Sequence, residues 1–330
     1  MLMLDRVSKT YKVGIFGGTD LPAVRDVSFS LQPGEVISLI GESGSGKSTI
    51  GKMILRLLSV NGGAITHDGT DIATLRGAAL RAYYRTVQGV FQDPFSSFNP
   101  IFKADHVFDL IRGVYFGSAS AADWRHKVDE ALEAVSLDPA QVLRKYPHQL
   151  SGGQLQRLLI ARALLLDTRY LIADEIISML DASTRIDVLN LLGDLKARGL
   201  GILFITHDLS LGNYISERTV ILRRGRIVEM GATPVVFERP LHPYTRMLIA
   251  SVPQLHKKWG HVDAEARAGS GWSPAPTESC RYHGAILGGG TDATRRVPGS
   301  GLVEVEDDHF VGCVQPNPDG TCGGRPAVTG

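Results

Sequence analysis

Short apolar stretches separated by glycine, proline and aspartate open the chain. LMLDRVSKTYK and AVRDVSFSL are followed by a Pro33-Gly34 turn and the apolar run VISLI, and AITHDGTDI carries an Asp68-Gly69 turn. This pattern predicts strands and tight turns over residues 1–75, and hence an antiparallel β layer. From about Ala121 the period changes: Trp124, Val128, Leu132 and Val135 recur every three or four residues, which predicts helical structure running on to Ser151. Beyond it, LQRLLIARALLL, YLIAD, RIDVLNLLGDLKARG, ILFIT and TVILRRG alternate helical and strand patterns. Short apolar strands alternating with amphipathic helices imply a parallel sheet covered on both faces. Of the 37 glycines, 14 fall after residue 259, among GSGWSPAP, GGGTDATRRVPGSG and QPNPDGTCGG, so an irregular C-terminal extension is expected. No segment repeats.

Charge removes some function classes. The 330 residues carry 35 Lys+Arg against 34 Asp+Glu, a net charge of +1, which gives no single-sign field for nucleic acid. A 43% hydrophobic content is that of a folded chain. The longest apolar stretch, Leu158 to Leu166, is short of the ~20 residues a membrane span needs and contains Arg162. Asp5 inside MLMLDRVSKTYK argues against a secretory signal. Three cysteines, all from Cys280 onward, do not make an even disulfide framework and fit a reducing compartment.

The first chemical motif follows VISLI directly. Gly41-Glu42-Ser43-Gly44-Ser45-Gly46-Lys47-Ser48-Thr49 matches the full GxxxxGK[ST] phosphate loop, and IGKMILRLL continues it as a helix. In such a loop the glycines let backbone N–H groups converge on phosphate oxygens at a helix N-terminus, Lys47 reaches the β- and γ-phosphates, and Ser48 offers a hydroxyl to Mg²⁺. A second element for the metal is the strand YLIAD with Glu175 after it. Neighbouring strand side chains point in different directions, so Asp174 is expected at Mg²⁺ and Glu175 as the base polarising the attacking water. His207, after ILFIT, is placed to sense the γ-phosphate.

Leu150-Ser151-Gly152-Gly153-Gln154 resembles the signature of ATP-binding-cassette proteins, and not a kinase, GTPase or helicase motif. Ser151 and Gln154 have capping-box spacing, and Gly152 and Gly153 bare the amides beside them. The resemblance extends over residues 4 to about 230. Gln92 in VFQDP is similar to the Q-loop residue and so a Mg²⁺ ligand, Asp181 in SMLDAS to the D-loop, His207 to the switch histidine, and Tyr11 to the adenine-stacking aromatic. The implied fold is an α/β P-loop ATPase core, mostly a parallel sheet, with an antiparallel β subdomain and a helical signature subdomain at about 93–157. Together these form a nucleotide-binding domain over 1–230, and an extension follows over 231–330.

The same resemblance implies a second ATPase subunit, identical or different, because in this family one subunit's signature completes the other's phosphate site. FQDPFSSFNP, YPHQLSGGQ and PLHPYTRMLIASVP, with His242 to Thr245 the most specific part, are similar to oligopeptide and dipeptide importer ATPases. Two transmembrane permeases, an extracytoplasmic binding protein and a peripheral place on the cytoplasmic membrane face are then expected. Ile176 replaces the branch's usual proline, and SMLDAST the commoner SALDVS, without removing a catalytic side chain. An oligosaccharide importer and a non-transport regulatory ATPase are the alternatives. Too few residues separate Gln92 from Ser151 for the insertion of a chromosome or repair protein, and a single cassette does not fit a translation factor. Gln92 to Trp124, with Phe95, Phe98 and Phe102, is the expected permease-docking surface. In several importer ATPases of this branch the tail carries a four-cysteine iron–sulfur cluster. Here Cys280, Cys313 and Cys322 are one thiolate short, with Ile286 where the second cysteine stands; His283 or His309 would complete a zinc or cluster site, and three free thiols are the alternative.

Overall fold

The computed structural model describes residues 1–13, 18–252, 295–297 and 302–312. Its elements begin with β1 (Leu2–Val13), β2 (Thr19–Leu31), β3 (Val36–Ile40), α1 (Lys47–Ile54), β4 (Gly62–His67), β5 (Thr70–Asp71), α2 (Gly77–Thr86) and β6 (Val87–Val90). The middle of the chain forms α3 (His106–Tyr115), α4 (Ala121–Ala134), α5 (Pro139–Val142), α6 (Gly152–Leu164), β7 (Tyr170–Asp174), α7 (Ala182–Ala197) and β8 (Gly201–Thr206). The last elements are α8 (Leu209–Ile215), β9 (Arg218–Arg223), β10 (Arg226–Ala232), α9 (Thr233–Glu238), α10 (Pro243–Ala250), β11 (Arg295–Val297), β12 (Leu302–Glu306) and β13 (His309–Gly312). They fall into two compact units. One holds Met1–Leu31, Val36–Ala73 and the described residues from Ile205 onward; the other holds Gln32–Glu35 and Thr74–Phe204.

In the first unit the alternating sequence of β2 buries Val27, Phe29 and Leu31 on one face. β2, β1, β4 and β5 pair in that order, the expected antiparallel layer. The β1–β2 register shifts at Arg6, between Leu4↔Phe29 and Val7↔Val27, and again at Asp26, between Val7↔Val27 and Lys9↔Val24; both residues take positive φ, so two bulges twist the layer. β3 is buried along its whole length, as an apolar run covered on both faces must be, and pairs parallel with β9. Beyond β9 the order is β10, β13, β12 and β11, all antiparallel. These last three strands depart from the irregular extension expected from glycine content. Leu302, Val303 and Val311 are buried there, enough apolar surface to hold a hairpin against β10.

α10 begins at His242, whose ring Nδ1 accepts the Tyr244 N–H at 3.0 Å, and Pro243 occupies the first helical position. Burial pushes the His242 imidazole down to about 4; Glu229 raises it, and Arg223 and Arg246 lower it. An unfolded histidine titrates near 6.5. Between these values the unfolded chain binds the extra proton, so this contribution to stability is complete above about pH 6.5 and is lost as the pH falls towards 4. The loss is on the order of 3 kcal/mol. His242→Asn keeps a capping acceptor without the titration, and its thermal midpoint should fall less than that of the wild type between pH 7 and 4.5.

The second unit carries β6 and β7 as a parallel pair. Trp124, Val128 and Leu132 are buried along α4, as their spacing predicts, but the helix does not reach Ser151. Ser136 takes φ +55, the Leu137 N–H returns to the Leu132 carbonyl at 2.9 Å, and Asp138 caps a new short helix at Pro139. A left-handed residue closing one helix, followed by a proline opening another, explains the break.

Candidate functional site

The residues singled out by the sequence divide between the two units. Tyr11, Gly41 to Thr49 and His207 belong to the first; Gln92, Ser151 to Gln154, Asp174, Glu175 and Asp181 belong to the second.

In the first unit the phosphate loop runs from the end of β3 into α1. Gly46 has φ +106, and a Cβ there would lie 2.4 Å from the Ala23 carbonyl oxygen. A Cβ on Gly41 would lie 2.2 Å from the Leu222 carbonyl oxygen, so neither position admits a side chain. Lys47 is 6% exposed, and its Nζ donates to the carbonyls of Gly41 at 2.7 Å and Glu42 at 2.9 Å. Ser45 Oγ is buried and has no hydrogen-bond partner among the described residues. An orphaned hydroxyl and a buried ammonium on one glycine turn suit a phosphate group, whose oxygens would engage both. Ser48 and Thr49 are half-buried at the start of α1. Tyr11, half-buried on β1 opposite Leu21, has Lys9 Nζ 5.8 Å from its ring centre. His207 is exposed ahead of Asp208, which caps α8 by accepting the Ser210 and Leu211 N–H groups.

In the second unit β7 is wholly buried and ends at Asp174, 6% exposed. Glu175 follows at φ +55 and is half-buried, so the strand breaks between the two carboxylates and they leave the backbone in different directions. A non-glycine residue in that region is strained by about 1–3 kcal/mol, a cost commonly found at working sites. The Glu175 carbonyl accepts from Ser178 N–H at 3.1 Å and Ser178 Oγ at 2.8 Å, which fixes the turn. Gln92 is exposed two residues beyond β6. Asp174 and Gln92 each carry a hard oxygen donor of the kind Mg²⁺ takes.

The capping box read from the sequence is formed. Ser151 Oγ accepts the Gln154 N–H at 3.1 Å, and Gln154 Oε1 accepts the Ser151 N–H at 2.9 Å. The two glycines inside it differ. A Cβ at Gly152 would make ordinary contact with Leu180 at 3.6 Å, whereas one at Gly153 would stand 2.5 Å from Thr184 Cγ2 on α7. Gly153 therefore lets α6 and α7 approach. Gly153→Ala should destabilise the chain by about 1–3 kcal/mol, and Thr184→Ser, which removes that methyl, should restore most of the loss of thermal midpoint. Asp181 caps α7. It accepts from Ser183 Oγ at 2.7 Å, Thr184 N–H at 3.0 Å and Thr184 Oγ1 at 2.8 Å, and these bonds hold its carboxyl well below the usual carboxylate range.

Two expectations need correction. Of the three phenylalanines offered as a docking surface, Phe95 and Phe102 are 48% and 47% exposed, but Phe98 is buried at 7%; Ile101, at 77%, is the more exposed neighbour. His309 is not available as a metal ligand through Nε2, which lies 2.8 Å from Glu229 Oε1 with both side chains fully buried. Cys280, Cys313, Cys322 and His283 lie outside the described residues. Among the described residues no group of three or more His, Cys, Asp and Glu has metal-binding geometry, and no helix is long and apolar enough to cross a membrane. Sequence spacing gave no role to three residues around the start of α10: Tyr244, whose hydroxyl accepts the Glu42 N–H of the phosphate loop, Arg223 over its ring, and Glu229, which accepts the His242 N–H. Their one sequence signal was HPYT itself, with a histidine cap before a proline.

Residues 24–178 match the family described as ABC transporter, and residues 228–284 match the oligopeptide/dipeptide transporter C-terminal region. A Brucella ovis protein named for peptide import ATP binding is 39% identical over 300 residues, covering 90% of this chain and 93% of that protein. The glutathione import ATP-binding protein GsiA of Shigella flexneri is 46% identical over 238 residues, covering 71% of this chain and 37% of that longer protein. Among solved structures, the ATP-binding cassette MJ0796, in a dimeric post-hydrolysis state bound to ADP and Pi, superposes with a TM-score of 0.62 at 30% identity over 71% of this chain and 99% of its own. With its phosphate loop, its capped signature helix and a Brucella ovis relative matched along 93% of its length, the chain belongs to the ABC transporter ATPases, in the branch that carries the oligopeptide/dipeptide transporter C-terminal region.

Proposed function

We propose that this ATPase drives uptake of di- or oligopeptides through two partner permeases fed by an extracytoplasmic binding protein. The observation that carries the reading is one phosphate loop and one capped signature on a chain that continues into the peptide-importer C-terminal region. ATP is held between two such subunits, Lys47 and the loop amides of one gripping the phosphates while the other turns the Ser151 hydroxyl and the Gly152 and Gly153 amides to the γ-phosphate. Tyr11 stacks on the adenine. Ser48, Gln92 and Asp174 would hold Mg²⁺, which would neutralise phosphate charge when bound. Glu175 takes a proton from the attacking water, His207 senses the γ-phosphate, and the Asp181 cap sets the start of α7 where the two subunits meet.

In this reading cargo is chosen by the binding protein and permeases. Peptide is favoured over oligosaccharide by the match over residues 228–284 and by the relatives named for peptide and glutathione import. Phe95, Ile101 and Phe102 form the exposed apolar surface that docks a permease at the cytoplasmic membrane face. Residues Cys280, Cys313 and Cys322 with His283 would have to make any tail metal site, since His309 is committed to Glu229. Purification of the tagged chain from gently solubilised membranes tests the transporter role: two multi-spanning permeases should accompany it, and a soluble chain that brings none is the regulatory ATPase instead.

A further inference from the structure

A carboxylate without exposed surface lies in the middle of β10. Glu229 is fully buried, in a strand reading RIVEMGA, and accepts three hydrogen bonds. Oε1 receives the Leu241 N–H at 2.8 Å and faces His309 Nε2 at 2.8 Å, and Oε2 receives the His242 N–H at 2.9 Å. A buried carboxylate persists only where donors replace its water, and these donors come from the entry to α10 and from β13. Glu229 thus fixes the backbone at Leu241 and His242. From there the His242 ring caps the Tyr244 N–H.

Tyr244 is 2% exposed and packs with Ile40, Leu209, Ile221, Val228 and Val236. The Arg223 guanidinium lies over its ring, 4.6 Å from the centre. A phenylalanine would meet all of these contacts, so packing alone gives no reason for a phenolic hydroxyl here. That hydroxyl accepts the backbone N–H of Glu42 at 3.2 Å. Burial, with the Glu42 carboxylate nearby, pushes the phenol up and keeps it protonated. Glu42 is the second residue of the phosphate loop, and its own carbonyl accepts Lys47 Nζ at 2.9 Å.

We propose that Tyr244 is a positioning residue for the phosphate loop: its hydroxyl anchors the amide of Glu42, and through that residue sets the backbone on which Lys47 is held. It touches no phosphate and acts through Glu42, with Glu229 and His309 fixing the segment that carries it. The proposal rests on the loop being the nucleotide site.

Tyr244→Phe deletes the hydroxyl and keeps the ring. In the full chain, MgADP binding by titration calorimetry should weaken about three- to tenfold, the equivalent of one hydrogen bond, while the thermal midpoint stays within a few degrees. In the assembled transporter the loss should fall on KM for ATP more than on kcat, and amide hydrogen exchange at Glu42 should accelerate. Lys47→Ala is measured beside it. If Lys47→Ala weakens binding and Tyr244→Phe does not, Tyr244 is a core residue only and the proposal fails. If neither changes binding, the loop is not the nucleotide site and the underlying reading fails first. Should Tyr244→Phe not fold, the wild-type chain still decides: Glu42 must exchange slowly without nucleotide, and exchange at the rate of a free amide overturns the proposal.

Discussion

Replacing Glu175 by Gln should lower steady-state ATP turnover at least ~100-fold, about 2.7 kcal/mol of transition-state stabilisation, with nucleotide binding retained. The substitution keeps size and hydrogen-bonding capacity and removes the ability to take a proton. The position is structurally primed for a separate role: Asp174 closes the buried strand, and the left-handed backbone at Glu175 turns the next carboxylate elsewhere. Because ATP persists in such a variant, two subunits should stay closed on it. Size-exclusion chromatography with ATP and Mg²⁺ should therefore show association that the wild type does not. Turnover within a few-fold of wild type would take Glu175 out of the chemistry.

Lys47→Ala should reduce hydrolysis to background and weaken MgATP binding at least ~10-fold. The ammonium is buried among loop carbonyls, so its cost of desolvation is already met before nucleotide arrives and its charge acts at low dielectric. Alanine leaves those carbonyls without their donor as well as the phosphates without their cation. Parallel measurements of turnover and equilibrium binding check this, and near-normal values in both would place the site elsewhere.

The sequence announced the parts of this fold whose signals are local. VISLI, YLIAD and ILFIT read as buried strands because nothing polar interrupts them, and each is buried throughout. The Ser151–Gln154 capping box was legible because it needs only four residues. Where the outcome depended on partners far along the chain, reading failed. Glu229 in RIVEMGA looks like an exposed charge on an edge strand, and it is the amides of Leu241 and His242 together with the His309 ring, all further along the chain, that make it a buried acceptor. The same long-range pairing turned a glycine-rich tail into β11, β12 and β13. Phe98 carried the same composition signal as Phe95 and Phe102 but packs inward, since spacing does not say which face of an irregular segment turns to the core. Gly153 read as an exposed amide of the signature, and the constraint on it is the methyl of Thr184 on another helix.

What separates an importer subunit from a free ATPase is the coupling of ATP hydrolysis to peptide import. Its most direct measurement is ATP turnover by the chain assembled with its permeases in lipid vesicles, with and without binding protein loaded with a di- or oligopeptide. Turnover should depend on Lys47 and Glu175 and rise several-fold with peptide-loaded binding protein, accompanied by accumulation of labelled peptide in the vesicles. Stimulation by an oligosaccharide-loaded binding protein and none by peptide, or turnover indifferent to any loaded binding protein, would contradict it.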